Sequence, residues 1–222
     1  MCGRYTLKTP SLDLVGAFDL LFEPEFITPR YNIAPSQPVA GVRQIDGARQ
    51  MSLFRWGLIP FWAKDPNIGY KMINARGETV HEKPSFKAAF RRRRCLIAVD
   101  GFYEWERTGK RKNKQPFHIR RSDQQPFAFA GLWESWTSPD GSPLESCTIV
   151  TTTPNDLLET IHDRMPVILD PADYDQWLDP TFDQPDVLRE LLKPYSGDDF
   201  EMYAVSQEVN NARNEVPGLH LP

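Results

Sequence analysis

The chain has 222 residues, 40% of them hydrophobic and 25% charged, and a formal net charge of -4. That size and balance fit one globular domain over residues 1–222, long enough to bury a substantial core. No apolar run approaches the roughly 18 residues of a membrane span. The opening Met1-Cys2-Gly3-Arg4 lacks the basic and apolar regions of a secretory signal, so a cytoplasmic location is expected.

With 20 prolines and 13 glycines, the sequence favours short strands and loops over long helices. In chain order, Ser11–Phe18 patterns as a helix, and Pro38–Arg43 and Met51–Trp56 as strands. Further strands are predicted at Cys95–Val99, Phe102–Trp105, Pro116–Arg120, Phe127–Trp133 and Cys147–Thr152. The polar, basic segment Glu106–Lys114 reads as a hairpin loop between two of them. A helix at Asn155–Ile161 follows a capped entry at Thr153-Pro154-Asn155-Asp156, and Val167–Leu169 returns to strand. Pro171–Leu178, entered through Asp170-Pro171, and Gln184–Leu192 close the series as helices. These elements predict an α+β fold: a curved, mainly antiparallel sheet closing toward a barrel, with a few peripheral helices.

Cys2, Cys95 and Cys147 are too few and too scattered for a disulfide scaffold, so free thiols are expected, the latter two as core groups in apolar strands. His81, His118, His162 and His220 form no zinc-like spacing, and neither metal nor cofactor is expected. Charge is unevenly distributed. Residues 1–122 carry 22 Lys and Arg against 11 Asp and Glu, whereas the remainder carries 4 against 19. Such polarity suits a basic, nucleic-acid-facing surface backed by an acidic one, or simply two solvated faces.

Removal of Met1, which the small side chain of Cys2 permits, would expose a 1,2-aminothiol. An α-amine titrates near ~7.7–8.0 against ~10.4 for lysine, so far more of it is unprotonated at neutral pH and able to attack an aldehyde. The adjacent thiol can then add to the imine and close a five-membered thiazolidine, helped by its proximity on the same residue. An abasic deoxyribose supplies such an aldehyde on ring opening. By itself, a cysteine at position 2 reads more simply as an incidental near-terminal residue.

Six motifs bear on the choice. They are Cys2-Gly3-Arg4-Tyr5, Tyr31-Asn32-Ile33-Ala34-Pro35, Arg55-Trp56-Gly57-Leu58-Ile59-Pro60, Ile73-Asn74-Ala75-Arg76-Gly77-Glu78-Thr79, Asp100-Gly101-Phe102-Tyr103-Glu104-Trp105 and Ile161-His162-Asp163-Arg164-Met165-Pro166-Val167. In this order they resemble the SRAP (SOS response-associated peptidase) family of abasic-site processing proteins, a match that runs to at least Val209-Asn210. The resemblance implies covalent capture of abasic sites in single-stranded DNA, including single-strand/duplex junctions, by a monomer. It implies Cys2 as nucleophile, with Asn74, Glu104 and His162 completing the site. Glu104 then acts as general acid/base, His162 protonates the sugar ring oxygen or an imine, and Asn74 orients Cys2 or the opened sugar.

Without the family, the three would read as a strand carboxylate, a helix-terminal histidine and a turn asparagine. Arg4, Arg76 and Arg164, each within two residues of one of the four, are expected to hold flanking phosphates, and Trp62 to stack on a base. Some relatives carry a second tryptophan where this chain has Ala63, which bears on the strength of stacking. The run Arg91-Arg92-Arg93-Arg94 has the look of a nucleic-acid patch but precedes a core strand, and it is left outside the site.

Two other activities are open. An N-terminal thiol beside His162 and Glu104 could attack an amide, including the bond after Met1, giving a cysteine peptidase. An imine at the opened sugar also permits β-elimination, a lyase side reaction that thiazolidine closure suppresses. A binder of modified bases, with no covalent step, is the non-enzymatic alternative.

Overall fold

The computed structural model describes residues 2–107 and 114–222. In chain order the first half runs β1 (Arg4–Leu7), α1 (Ser11–Phe18), β2 (Arg30–Ile33), β3 (Pro38–Ile45), β4 (Ala48–Trp56), β5 (Asn74–Arg76), α2 (Lys87–Arg92) and β6 (Arg94–Val99). Next come β7 (Gly101–Trp105), β8 (Pro116–Arg121), β9 (Phe127–Thr137), β10 (Pro143–Thr152), α3 (Asp156–Glu159), β11 (Met165–Pro166) and β12 (Ile168–Leu169). The last elements are α4 (Tyr174–Leu178), α5 (Pro185–Glu190) and β13 (Phe200–Ala204).

The hairpin β3–β4 is turned by Asp46-Gly47 with φ of 50° and 81°, the left-handed pair that a two-residue type I′ turn requires. From β3 the antiparallel sheet continues through β6 and β9 to β10. β10 then meets β4 in parallel, with Ser146 opposite Arg55 and Cys147 opposite Trp56, so the predicted curved sheet closes into a five-stranded ring. A second antiparallel sheet, β13-β8-β7-β1-β2, packs on it. Tyr5 and Phe102 of this sheet meet Phe129 of the ring at 6.3 and 5.5 Å between ring centroids, at near-perpendicular angles. Cys95 and Cys147 are buried free thiols on β6 and β10.

Five strands were not foreseen, among them β11, a two-residue pairing with β10. β1, β2 and β5 are short and polar, and β13 lies in an acidic stretch; each owes its conformation to a partner strand more than to its own pattern. Asn155–Ile161 yields only α3, because the amides of Ile161 and His162 both turn back to the Leu158 carbonyl. Pro171–Leu178 divides into a 3₁₀ turn at Pro171–Asp173 and α4. Residues 108–113 of the expected hairpin loop lie outside the described residues, but its flanks pair as a hairpin requires, Trp105 opposite Pro116. Among the described residues no helix is long and apolar enough to cross a membrane.

The uneven charge of the sequence is largely consumed internally. Arg30 pairs with Glu215, Arg43 with Glu145, Arg49 with Asp175 and Arg120 with Glu201, each joining the basic first part of the chain to the acidic second. Antiparallel pairing and the return of the C-terminal segment set opposite charges side by side. The polarity of the sequence therefore does not translate directly into two opposed faces.

Candidate functional site

β1 and β7 run antiparallel with Arg4 opposite Tyr103 and Tyr5 opposite Phe102. One step further along that register sets Gly3 against Glu104, with Cys2 beside it. Glu104 is buried, and its charge acts on the Cys2 thiol: burial first, and the Glu104 carboxylate second, push the thiol pKa far above its ordinary value. The thiol is therefore protonated at neutral pH.

Asn74 arrives from the ring. β5 lies parallel to β10, with Ile149 opposite Asn74 and Thr151 opposite Arg76. The Asn74 side chain donates from Nδ2 to the Cys2 carbonyl at 2.8 Å, which fixes the backbone of the candidate nucleophile. Its Oδ1 is buried with no hydrogen-bond partner among the described residues, leaving one acceptor available to a substrate hydroxyl or to an amine on Cys2.

His162 occupies the turn between α3 and β11, and β11 is tied to β10 through Thr152 opposite Met165. The Arg164 amide donates to Nδ1 of His162 at 3.0 Å. Asp163 Oδ1 also lies 3.1 Å from Nδ1, yet one ring nitrogen cannot accept from Arg164 and donate to Asp163 together. The backbone donor cannot rotate away, whereas the Asp163 carboxylate is exposed. Nδ1 thus accepts, and Nε2 carries the proton of the neutral ring. That Nε2 lies 3.8 Å from Glu104 Oε1, longer than a direct hydrogen bond.

The expected strand-binding residues divide. Arg76 sits two positions from Asn74, on the same face of β5, exposed, and its side chain makes no hydrogen bond or ion pair among the described residues. Trp62 is 48% exposed and the adjacent Phe61 59%. Arg164 is committed internally: it holds Glu78 in a forked pair, with Nη2 to Oε2 at 2.9 Å, and donates to the Thr151 carbonyl at 2.6 Å. That pairing draws the Glu78 carboxyl below its usual range. Arg4 donates to the Val209 carbonyl at 2.8 Å and to Asn32 Oδ1 at 3.3 Å.

A family model described as SOS response associated peptidase (SRAP) matches residues 1–212. The chain belongs to the SRAP family. Abasic site processing protein YoqW of Bacillus subtilis (strain 168) is 49% identical over 222 residues, covering 99% of this chain and 98% of its own. Abasic site processing protein HMCES of Rattus norvegicus is 31% identical, covering all of this SRAP chain and 76% of its own length. A crystal structure of a protein from Bacteroides thetaiotaomicron superposes with a TM-score of 0.88 at 24% identity, covering 99% of both chains, which shows a common fold. One from Bordetella bronchiseptica gives 0.79 at 29% identity over 92% of this chain and 100% of its own.

The SRAP motifs also contain supports that reading them as a chemical inventory missed. Asn32, buried beneath Cys2's strand, donates to the carbonyls of Asn211 and Asn214 at 3.1 and 2.9 Å. Glu215 accepts from the Tyr31 and Asn32 amides, and Trp105 Nε1 donates to Asn210 Oδ1 at 2.6 Å. The C-terminal segment is thereby strapped to β1, β2 and β7. Among the described residues no group of three or more His, Cys, Asp or Glu could hold a metal.

Proposed function

We propose that this SRAP chain processes abasic sites in DNA by covalent capture on Cys2 after removal of Met1. The observation that carries the reading is convergence: Asn74, Glu104 and His162, from three separate parts of the chain, meet around Cys2. The unprotonated Cys2 amine adds to the sugar aldehyde carbon. The carbinolamine loses water to give an imine, Sγ bonds to the imine carbon, and the thiol proton passes to the ring nitrogen. One water leaves overall. Glu104 is placed to relay protons between amine, thiol and departing hydroxyl, and His162 Nε2–H to donate to the sugar oxygen as the ring opens. Asn74 is a positioning residue, holding Cys2 through its carbonyl.

With Met1 in place the Cys2 thiol pKa is raised by burial and by Glu104, which weighs against thiol attack on the bond after Met1. Peptide attack needs a thiolate and is favoured by a depressed pKa, whereas imine formation begins with the amine and asks nothing of the thiol until the imine exists. Lyase cleavage is then a minor branch, open only before thiazolidine closure. For strand recognition, Arg76 offers an uncommitted guanidinium and Trp62 an exposed ring, which favours a single strand whose bases can be stacked. Arg4 and Arg164 would join it only by sharing donors with internal partners.

The test is intact-mass and denaturing-gel analysis of Met1-processed protein with single-stranded DNA bearing one abasic site. A heat-resistant adduct at the summed mass less one water, absent from Cys2→Ala, is expected. Adduct formation by Cys2→Ala, or none by correctly processed protein, overturns the reading.

A further inference from the structure

The arginine run that ends α2 and opens β6 has no part in the site above, and its members separate in the fold. Arg94 turns inward, whereas Arg91, Arg92 and Arg93 line a cavity of about 510 Å³ together with His81, Lys87 and Asp183. Asp183 is the one acidic group in that lining, and it is shared: Arg91 Nε lies 3.0 Å from it and Arg92 Nη2 2.9 Å. Arg93 reaches Glu134 at 2.7 Å, while Lys87 has no ion pair among the described residues. Positive charge therefore exceeds what the acidic neighbours neutralise. Nε of Arg93 is buried with no acceptor among the described residues, a donor whose cost of burial an incoming anion would relieve.

We infer that this cavity binds a phosphodiester of the DNA strand whose abasic nucleotide occupies the Cys2 site. Its volume exceeds the need of a lone phosphate, and its place in the chain ties it to Arg76. From β5 a series of turns, Thr79 N to Arg76 O at 3.1 Å, Lys83 N to Thr79 O at 3.1 Å and Lys87 N to Lys83 O at 2.9 Å, leads directly into α2. Arg76 and Lys87 thus stand at the two ends of one hydrogen-bonded run of turns, which connects the candidate strand-binding arginine to the cavity through the chain. Arg91 and Arg92 are both more than half exposed and can turn from Asp183 to a phosphate without disturbing the core.

The inference rests on the DNA reading of the Cys2 site, and its test is separable from that reading. Reversible binding of undamaged single-stranded DNA is followed by anisotropy across a salt series, and crosslinking of abasic DNA is scored on the same preparations. Losing the one phosphodiester held by this cavity in Lys87→Ala/Arg91→Ala should flatten the slope of log K against log salt by about 0.7. Crosslink yield at saturating DNA should stay unchanged. Asp183→Asn, which removes the internal competitor, should tighten binding and steepen the slope.

Unchanged slopes in both variants, with thermal melts like the parent, overturn the inference. Inorganic phosphate that binds the parent but not the double variant, while DNA slopes stay equal, overturns it in favour of a free-phosphate site. Altered slopes without any crosslink in the parent would uphold the cavity and sink the covalent mechanism instead.

Discussion

Arg94 should be the one member of its run whose loss strongly destabilises the protein. It is 2% exposed, and its guanidinium donates to Trp177 O and Phe90 O at 2.5 and 2.8 Å, to Arg91 O and Phe182 O at 2.6 and 3.2 Å, and to Asp179 O. These bonds close the C-terminal end of α2 and anchor the chain around α4. In Arg94→Met the stem is retained and the donors vanish. The α2 carbonyls lie beside exposed arginines and recover water, but the Trp177 carbonyl and those beyond it cannot all do so. Two stranded acceptors at ~1–3 kcal/mol each, less the recovered cost of burying a charge that pulls the Arg94 pKa down to about 10, give a loss of about 2–4 kcal/mol. For a domain of this size that is roughly 5–15 °C in Tm. Urea and thermal unfolding of Arg94→Met beside Arg91→Ala measure it. Equal stability of the two, or a loss below about 0.5 kcal/mol in Arg94→Met, would refute the reasoning.

Three further outcomes are expected. In Met1-processed Glu104→Gln the pH midpoint of Cys2 alkylation, read by mass spectrometry, should move down because a negative neighbour is gone, while abasic-site crosslinking slows; both rising together would argue against a proton-relay role. His118 is buried between Thr6 and Tyr203, and burial, with His220, Arg120 and Lys8 adding to it, depresses its pKa well below the ordinary value. Only the unfolded chain then takes up that proton readily, so stability should fall as pH drops below about 6.5, by about 1 kcal/mol at pH ~5.5, and less in His118→Gln, as urea midpoints at the two pH values will report. Trp62→Ala should leave Tm unchanged and cost about 1–3 kcal/mol in single-strand affinity by anisotropy; an unchanged affinity would remove Trp62 from the strand path.

What the sequence disclosed depended on how local the information was. α1 carries its own apolar spacing and falls at Ser11–Phe18 as predicted, and the longer ring strands announce themselves by β-branched and aromatic runs. β5 could not be foreseen, since Asn-Ala-Arg has no strand pattern and becomes a strand only against β10. Family motifs nominated Cys2, Asn74, Glu104 and His162 as a set, and the fold puts Asn74 and Glu104 beside Cys2 and His162 beside Glu104. The internal engagement of Arg4 and Arg164 was not legible, because their partners Val209 and Glu78 are remote in sequence. Nor does a run of four identical arginines reveal which one turns inward: that is decided by carbonyls from residues 177–182, supplied much later in the chain.

The strap of the C-terminal segment onto β1 and β2 has a temporal consequence. Synthesis delivers Cys2 first, and its strand is completed by β7 only after the ring has begun to form. Arg4 and Asn32 must wait for carbonyls at positions 209–214, which lie 179–205 residues further along the chain. A nascent chain therefore carries Cys2 on an unsupported strand until the segment around residues 209–214 has been made. The surroundings of Cys2 become ordered only after that segment has docked, which ties the candidate site to contacts made across the whole breadth of the domain.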